Sequence, residues 1–332
     1  MPRPLARLAL AALAVALGCA RDAPRDDFPG MRLLARVEAR LAREQPDLAP
    51  MLDHYGLVFP VTQPQLLAFM GQIRVHGDGD DLVLGTEFGP ESHGGGLLRL
   101  LFDEWRPDGR APRLSDRFAF AGAGPVELGR LYRAYQRQLF LPGPGGAPRL
   151  PRMRFGFQLP GGPRRDLELD AYKFVSLLIE LEPDPARRWT NRIGQELSVA
   201  SLMEQVRGVY LASAAPVTDP PDHSNLHLVE LLARFGADLG PVQRHFVATE
   251  LAQRELAPGD RDFLLSHQAE SLGRLLDVAG LAWSADDGLA VRRWLAVLEE
   301  ERFRDVEAID AESLCHLAKG LRSVRAHQAA LE

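Results

Sequence analysis

Residues 261–278, with the sequence RDFLLSHQAESLGRLLDV, contain too many apolar side chains for an isolated surface helix. The same composition recurs from Leu167 onward, where glycine, proline and capping residues mark the breaks between segments. The sequence predicts helices over 169–182, 198–212, 224–235, 241–256, 261–278, 286–303 and 310–329. Because each helix is too apolar to stand alone, they must pack against one another, and the predicted fold class is mainly α.

The predicted helices after residue 198 repeat with a rough period. The first helices of successive pairs begin near 198, 241 and 286, a spacing of about 43–45 residues that is typical of a helical-hairpin repeat. This pattern resembles an α-solenoid or an α/α-toroid, the closed ring of hairpins seen in terpenoid-cyclase-like and glycosidase-like families. The resemblance covers 198–329, depends on spacing alone and carries no functional residue across. We therefore predict a helical-hairpin domain over 166–332.

The region 31–150 is predicted to be mixed α/β. Helical spacing begins at Met31, a capping box at Thr62 opens another helix, and 82–88 is typical of a strand. Residues 142–151, PGPGGAPRLP, hold four prolines and three glycines, a density that no helix or strand tolerates. A domain boundary is predicted across 142–165. The alternative is a long loop inside one domain.

Composition and charge exclude several classes of protein. The chain has 332 residues with 39 basic and 45 acidic side chains, a net charge of −6. A general nucleic-acid binder needs a basic surface, so nucleic acid is not an expected partner. The two cysteines exclude a disulfide scaffold. The ordinary balance of apolar and charged residues excludes a wholly disordered chain and a polytopic membrane protein.

The first nineteen residues, MPRPLARLALAALAVALGC, have the layout of a secretory signal. Arg3 and Arg7 form a positive segment, and an apolar run over 8–17 follows it. The run is too short for a membrane-spanning helix, which needs about 20 residues. Residues 1–18 are therefore predicted to be a signal peptide.

The apolar run ends in Ala16-Leu17-Gly18-Cys19. This string resembles the lipobox of bacterial lipoproteins, although the family usually has leucine or a similar residue where Ala16 stands. The resemblance implies cleavage after Gly18, a lipid on Cys19 and a tether over 19–30. It places the protein in the bacterial cell envelope, and the absence of aspartate after the cysteine favours the outer membrane, facing the periplasm or the cell surface. The alternative is an ordinary signal peptide or a short buried helix, with Cys19 incidental.

A histidine recurs in the second helix of each predicted pair: His227, His267 and His316. Glu230 and Glu270 each follow a histidine by three positions, on the same helical face. In a closed ring of hairpins the second helices would line the inside. The imidazoles meeting there could serve as acid/base groups or bind a metal ion. The alternative is that these histidines lie on unrelated faces and only pack or cap.

A second candidate site comprises His223, His227 and Glu230, at positions i, i+4 and i+7. These residues share one face if all three are helical, and two nitrogens with one oxygen suit a metal ion. The preceding prolines favour a helix that begins at Ser224, which would leave His223 outside it. A capping role with a satisfied or exposed histidine is therefore the competing interpretation.

The sequence favours a membrane-anchored extracytoplasmic lipoprotein that binds a protein or small-molecule partner, because no strong catalytic motif occurs. The alternative is a tethered extracytoplasmic enzyme with a histidine-lined, metal-dependent pocket in the helical domain. A helical scaffold in an envelope complex is the third interpretation. No cofactor is evident from the sequence, although a divalent metal ion could bind at the histidines.

Overall fold

The computed structural model describes residues 25–79, 81–141, 151–158, 162–213, 224–236, 238–251 and 261–332, and these residues are mostly helical. The predicted mainly α class is confirmed. The helices are α1 (Met31–Leu48), α2 (Leu52–Val58), α3 (Gln63–Met70), α4 (Gly94–Glu104), α5 (Leu128–Gln138), α6 (Tyr172–Leu181), α7 (Val199–Ala212), α8 (Ser224–Phe235), α9 (Gly240–Thr249), α10 (Arg261–Leu276), α11 (Ala285–Val297) and α12 (Ala311–Ala326). Each of the seven helices predicted after Leu167 is present. The helix at 224–235 has its predicted bounds, and the others differ from the prediction at one or both ends.

Short strands form small antiparallel sheets between the helices. The strands are β1 (Arg74–His76), β2 (Val83–Thr86), β3 (Gly89–Pro90), β4 (Arg117–Ala119), β5 (Pro125–Glu127), β6 (Leu139–Phe140), β7 (Arg152–Phe157), β8 (Arg165–Asp170), β9 (Trp189–Thr190) and β10 (Glu196–Leu197). The sheet orders are β1-β2-β3, β4-β5, β6-β7-β8 and β9-β10. The N-terminal region therefore combines helices with strands, as the sequence predicts.

The sheet β6-β7-β8 joins strands from both sides of the predicted boundary at 142–165. Helix α1, near the N-terminus, packs on α12, near the C-terminus. Apolar side chains from both regions belong to one core that extends from Phe28 to Leu331. Most of the proline- and glycine-rich segment, 142–150, lies outside the described residues.

The helices after residue 198 pack in two rows. Helix α10 lies between α8 and α12 in one row, and α9 lies between α7 and α11 in the other. The first row continues through α6 and α4 on one side, while α1 and α2 pack on α12 at the other. This row brings side chains from distant parts of the chain to one surface.

Two glycines allow α10 and α12 to cross closely. A Cβ atom on Gly273 would lie 3.0 Å from the Cα atom of Gly320. A Cβ atom on Gly320 would overlap the carbonyl oxygen of Ala269 and lie 2.7 Å from the amide nitrogen of Glu270. Any larger residue at Gly320 must therefore push the helices apart. Glu270 and His316 lie about one turn before these glycines, so the close crossing sets their separation.

Helix α1 is capped by a side chain from far along the chain. Its N-cap residue, Gly30, supplies no side-chain acceptor. Instead, the carboxylate of Glu299 accepts hydrogen bonds from the backbone amides of Arg32 and Leu33, at 3.0 and 3.2 Å. Glu299 lies in a π-helical turn, Leu298–Arg302, that replaces the end of the helix predicted over 286–303. A carboxylate at a helix N-terminus is also favoured by the helix dipole.

Candidate functional site

A cleft of about 400 Å³ lies against the row formed by α4, α6, α8, α10 and α12, and α2 contributes one wall. This volume is in the range of small-molecule sites, roughly 300–1,000 Å³. The lining side chains that bear on its chemistry are Asp53, His54, Tyr172, Glu230, Glu270 and His316.

Neighbouring helices bring the three predicted histidines side by side. The ring centroids of His227 and His267 are 5.8 Å apart, and those of His267 and His316 are 3.9 Å apart. Tyr172, at the start of α6, stacks on His227 with 3.7 Å between ring centroids. Of the three histidines, only His316 is among the described residues that line the cleft. His227 and His267 are buried behind it.

The orientation of His267 is fixed within its own helix. Its Nδ1 atom lies 2.9 Å from the carbonyl oxygen of Phe263, one turn earlier in α10. Because a carbonyl oxygen only accepts, Nδ1 of His267 is the protonated nitrogen of this pair. This hydrogen bond holds the His267 ring between the rings of His227 and His316. His267 therefore packs against these two histidines and does not line the cleft.

Glu270 is a buried carboxylate with strong donors on both oxygens. Arg274, one turn later in α10, donates to Oε1 at 2.9 Å, and Nδ1 of His316 donates to Oε2. Burial by itself raises the pKa of Glu270, but His316 and Arg274 outweigh it and hold that pKa well below the ordinary value. Glu270 therefore stays ionised and fixes His316 through Nδ1.

Glu230 lies nearby in a contrasting environment. Its Oε1 atom is buried without a hydrogen-bond partner among the described residues and lies 3.6 Å from Nδ1 of His227. Burial and the negative charge of Glu270 raise the pKa of Glu230 to about 7. Two cleft carboxylates thus differ in protonation near neutral pH because their partners differ.

A second group of residues, which the sequence analysis missed, lies on the other side of His316. Nε2 of His54 is 3.2 Å from Oε1 of Glu312, and Nδ1 of His54 is 3.1 Å from Oδ1 of Asp53. Nε2 of His316 is 4.0 Å from the same Glu312 oxygen. Glu312 thus lies between the two imidazoles.

Burial lowers the pKa of His54, but hydrogen bonds to Asp53 and Glu312 outweigh it and raise that pKa to about 9. The hydrogen bond to His54 lowers the pKa of Glu312 to about 2. Without a metal ion, the protonated imidazole of His54 is therefore shared by two carboxylates at neutral pH.

His54, Glu312 and His316 are the described residues that could hold a metal ion. One ligand atom from each of them lies within 4.8 Å of the other two. The metal site predicted from His223, His227 and Glu230 differs from this group. His223 lies outside the described residues, and neither His227 nor Glu230 is part of the triad. Cys19, the predicted lipid attachment point, also lies outside the described residues.

Glycines at the start of α4 bring α6 close to the cleft. A Cβ atom on Gly95 would lie 2.8 Å from Cβ of Phe174, and one on Gly96 would lie 2.7 Å from Cδ of Lys173. Because neither glycine has a side chain, α6 packs tightly and Lys173 reaches the cleft wall. There its Nζ atom lies 3.6 Å from Asp53.

A weak sequence signal for the missed group does exist. Glu312 and His316 are four residues apart, which places them on one face of a helix. His54 gives no comparable signal, because its helix α2 is short and joins the site only by packing on α12.

Comparison with known proteins found no matching family model, no similar curated protein and no similar solved structure.

Proposed function

We propose that this protein is an enzyme of the bacterial cell envelope, tethered by a lipid on Cys19, that performs acid/base chemistry on a small molecule in the cleft. The observation that carries this proposal is the pairing of Glu230 and Glu270. Glu270 has hydrogen-bond donors on both oxygens, whereas a buried Glu230 oxygen has no hydrogen-bond partner among the described residues. Retaining such a group costs stability, and a catalytic role is one reason for which a protein keeps it.

The two carboxylates suit different roles. Titratable groups whose environments separate their pKa values are a common arrangement for general acid/base catalysis. Glu230, with a pKa near neutrality, can give or take a proton at the cleft wall. Glu270 stays ionised and orients His316. This division favours turnover over the simple binding of a partner, the function that the sequence favoured.

The proposal predicts turnover that depends on Glu230. We would incubate the full mature protein with a small-molecule extract of bacterial cells and follow the mixture by untargeted mass spectrometry. We expect at least one compound to be consumed and a product to appear. The Glu230→Gln variant should lose most of this turnover, since general acid/base groups contribute about 10²- to 10⁴-fold.

The matched control is Glu301→Gln, which changes an exposed carboxylate that does not line the cleft. It should retain the turnover of the wild type. The proposal is overturned if the wild type changes no compound, or if Glu230→Gln and Glu301→Gln turn over equally.

Substitutions at the two cysteines test the lipid anchor separately from the enzymatic activity. No described helix is both long and apolar enough to cross a membrane. With a lipid as the anchor, Cys19→Ser should move the protein from the membrane fraction to the soluble fraction of the envelope, as judged by immunoblotting. Cys315→Ala, which removes a buried thiol, should leave it in the membrane fraction. A Cys19→Ser protein that stays with membranes would contradict the lipid anchor.

We also propose that the two helix rows are the layers of a hairpin array, with α8, α10 and α12 as its inner layer and α7, α9 and α11 as its outer layer. The side-by-side packing within each row supports this arrangement. It would explain why the recurring histidines lie together, because equivalent positions of successive inner helices are neighbours in such an array.

A further inference from the structure

We infer that His54, Glu312 and His316 bind a divalent transition metal ion, with Zn²⁺ as the ion that suits the donor set. The inference deepens the proposed function and rests on it only for the ion's part in turnover. Binding of the ion itself follows from the geometry of the three side chains. Two imidazoles and a carboxylate are ligands that zinc accepts readily in proteins.

The spacing of the donor atoms matches a zinc site. Zinc bonds to imidazole nitrogen and carboxylate oxygen are about 2.0–2.1 Å long, which places neighbouring ligand atoms of a tetrahedron about 3.3 Å apart. Oε1 of Glu312 lies 3.2 Å from Nε2 of His54 and 4.0 Å from Nε2 of His316. A movement of less than an ångström at His316, on the order of an ordinary side-chain adjustment, brings the second of these distances to the tetrahedral value. The ligand atoms of all three residues already lie within 4.8 Å of one another.

Both imidazoles are oriented by carboxylates on the opposite nitrogen. Nδ1 of His54 contacts Asp53, and Nδ1 of His316 contacts Glu270. Metal-binding histidines almost always donate their other ring nitrogen to a carboxylate or a carbonyl, which fixes the tautomer and directs the free lone pair to the metal. The two Nε2 atoms are consequently presented to Glu312 from two different helices.

An ion-pair network without a metal ion accounts for only part of this arrangement. It explains the contact between His54 and Glu312, which joins α2 to α12. It leaves Nε2 of His316 buried without a hydrogen-bond partner in the part of the chain that the structure describes, in a residue that is 8% exposed. A buried unsatisfied nitrogen is costly, and a bound metal ion would satisfy it.

Three protein ligands would leave one coordination position of the zinc ion open. Structural zinc sites are closed by four protein ligands, whereas catalytic sites keep one position for water or substrate. His54 and His316 both line the cleft, so an open position would face the space where a small molecule binds. When bound with three protein ligands, zinc holds a water molecule and lowers the pKa of that water to about 7.

The test measures metal binding directly. The full mature protein, freed of metal with a chelator, is titrated with Co²⁺, whose visible absorption reports its coordination, and then with Zn²⁺ as a competitor. We expect one Co²⁺ per chain, displaced by Zn²⁺. X-ray absorption of the zinc complex should show two imidazoles, oxygen ligands and no sulfur.

Variants then locate the ion. Asp53→Asn and Glu270→Gln should weaken zinc binding by about 10- to 100-fold, the usual effect of losing an outer partner. His54→Ala, which removes a ligand, should weaken zinc binding more strongly. If His54→Ala does not fold, His316→Gln removes a different ligand with a side chain closer in size to histidine. The control is His245→Ala, which removes a half-buried histidine beside Ser213. It should bind zinc like the wild type.

The inference is overturned if the wild type takes up no stoichiometric zinc, if X-ray absorption shows a sulfur ligand, or if His54→Ala binds zinc as tightly as His245→Ala. These results are distinct from failure of the proposed function. If the protein binds zinc but changes no compound, the metal site stands and the proposed enzymatic function is rejected. If the protein turns over a compound but takes up no zinc, the enzymatic function stands and the metal site is rejected.

Discussion

Replacing Glu270 by glutamine is expected to lower the free energy of unfolding by about 3 kcal/mol at neutral pH, because it breaks a buried charged pair from one side. The carboxylate accepts from Arg274 and from His316, and its side chain is 2% exposed. Glutamine keeps one acceptor and turns an amide donor toward one of these two donors. Urea denaturation followed by circular dichroism measures the change. An unchanged unfolding midpoint would contradict the tight pairing.

The matched variant Glu230→Gln should act in the opposite direction. Folding raises the pKa of Glu230 from 4.5 to about 7, so ionisation opposes the folded state. As pH rises from 4.5 to 7, the unfolded chain ionises first and the wild type loses stability. Glutamine removes this cost, so the variant should be more stable at pH 8 by at most about 3 kcal/mol. The difference should vanish below pH 4.5, and a variant destabilised at pH 8 would contradict the assignment.

Gly320→Ala is expected to destabilise the protein by about 3 kcal/mol, at the upper end of the usual cost of overpacking. Alanine gains about 1 kcal/mol in helix propensity, but its methyl group would overlap the backbone of α10 at Ala269. Backbone atoms cannot move aside as a flexible side chain can, so the helices must separate. Separation also breaks the contact between Glu270 and His316, and zinc binding should weaken with stability.

Gly208→Ala is the matched control for this substitution. Gly208 lies in α7, where an added Cβ atom meets nothing within 4 Å. There the propensity gain is unopposed, and the variant should be more stable than the wild type by up to about 1 kcal/mol. Thermal unfolding of both variants compares the two glycines. If both raise stability, the close crossing of α10 and α12 does not constrain position 320.

Local signals predicted the helices well, because caps, glycines and prolines act within a few residues. The helix starting at Ser224 and the end of α7 at Ala212 coincide with their predicted positions. The helix predicted over 286–303 is α-helical only to Val297 and continues as a π-helical turn to Arg302, which the sequence did not predict. Glu299 caps α1, and nothing local to 299 reveals that contact.

The site was only partly predictable for the same reason. The recurrence of histidine in the second helices of the predicted pairs predicts His316, and the spacing of three residues from His267 predicts Glu270. His54 joins them only through the packing of α2 on α12, an event that no local pattern near residue 54 encodes. The approach of the helices also depends on Gly273 and Gly320, whose effect appears only when the two are placed opposite each other.

The start of the described chain has a consequence for a lipid-anchored protein. The backbone amide and carbonyl of Arg25 are both bonded to the side chain of Gln328, and Phe28 is buried. Arg25 is six residues after Cys19 in the sequence, so their Cα atoms lie at most about 22 Å apart when the chain is fully extended. With a lipid on Cys19, the place where Arg25 contacts Gln328 would stay within this distance of the bilayer surface. Gln328, which holds Arg25 near the C-terminal end of the chain, would then lie on the side of the molecule that is nearest the membrane.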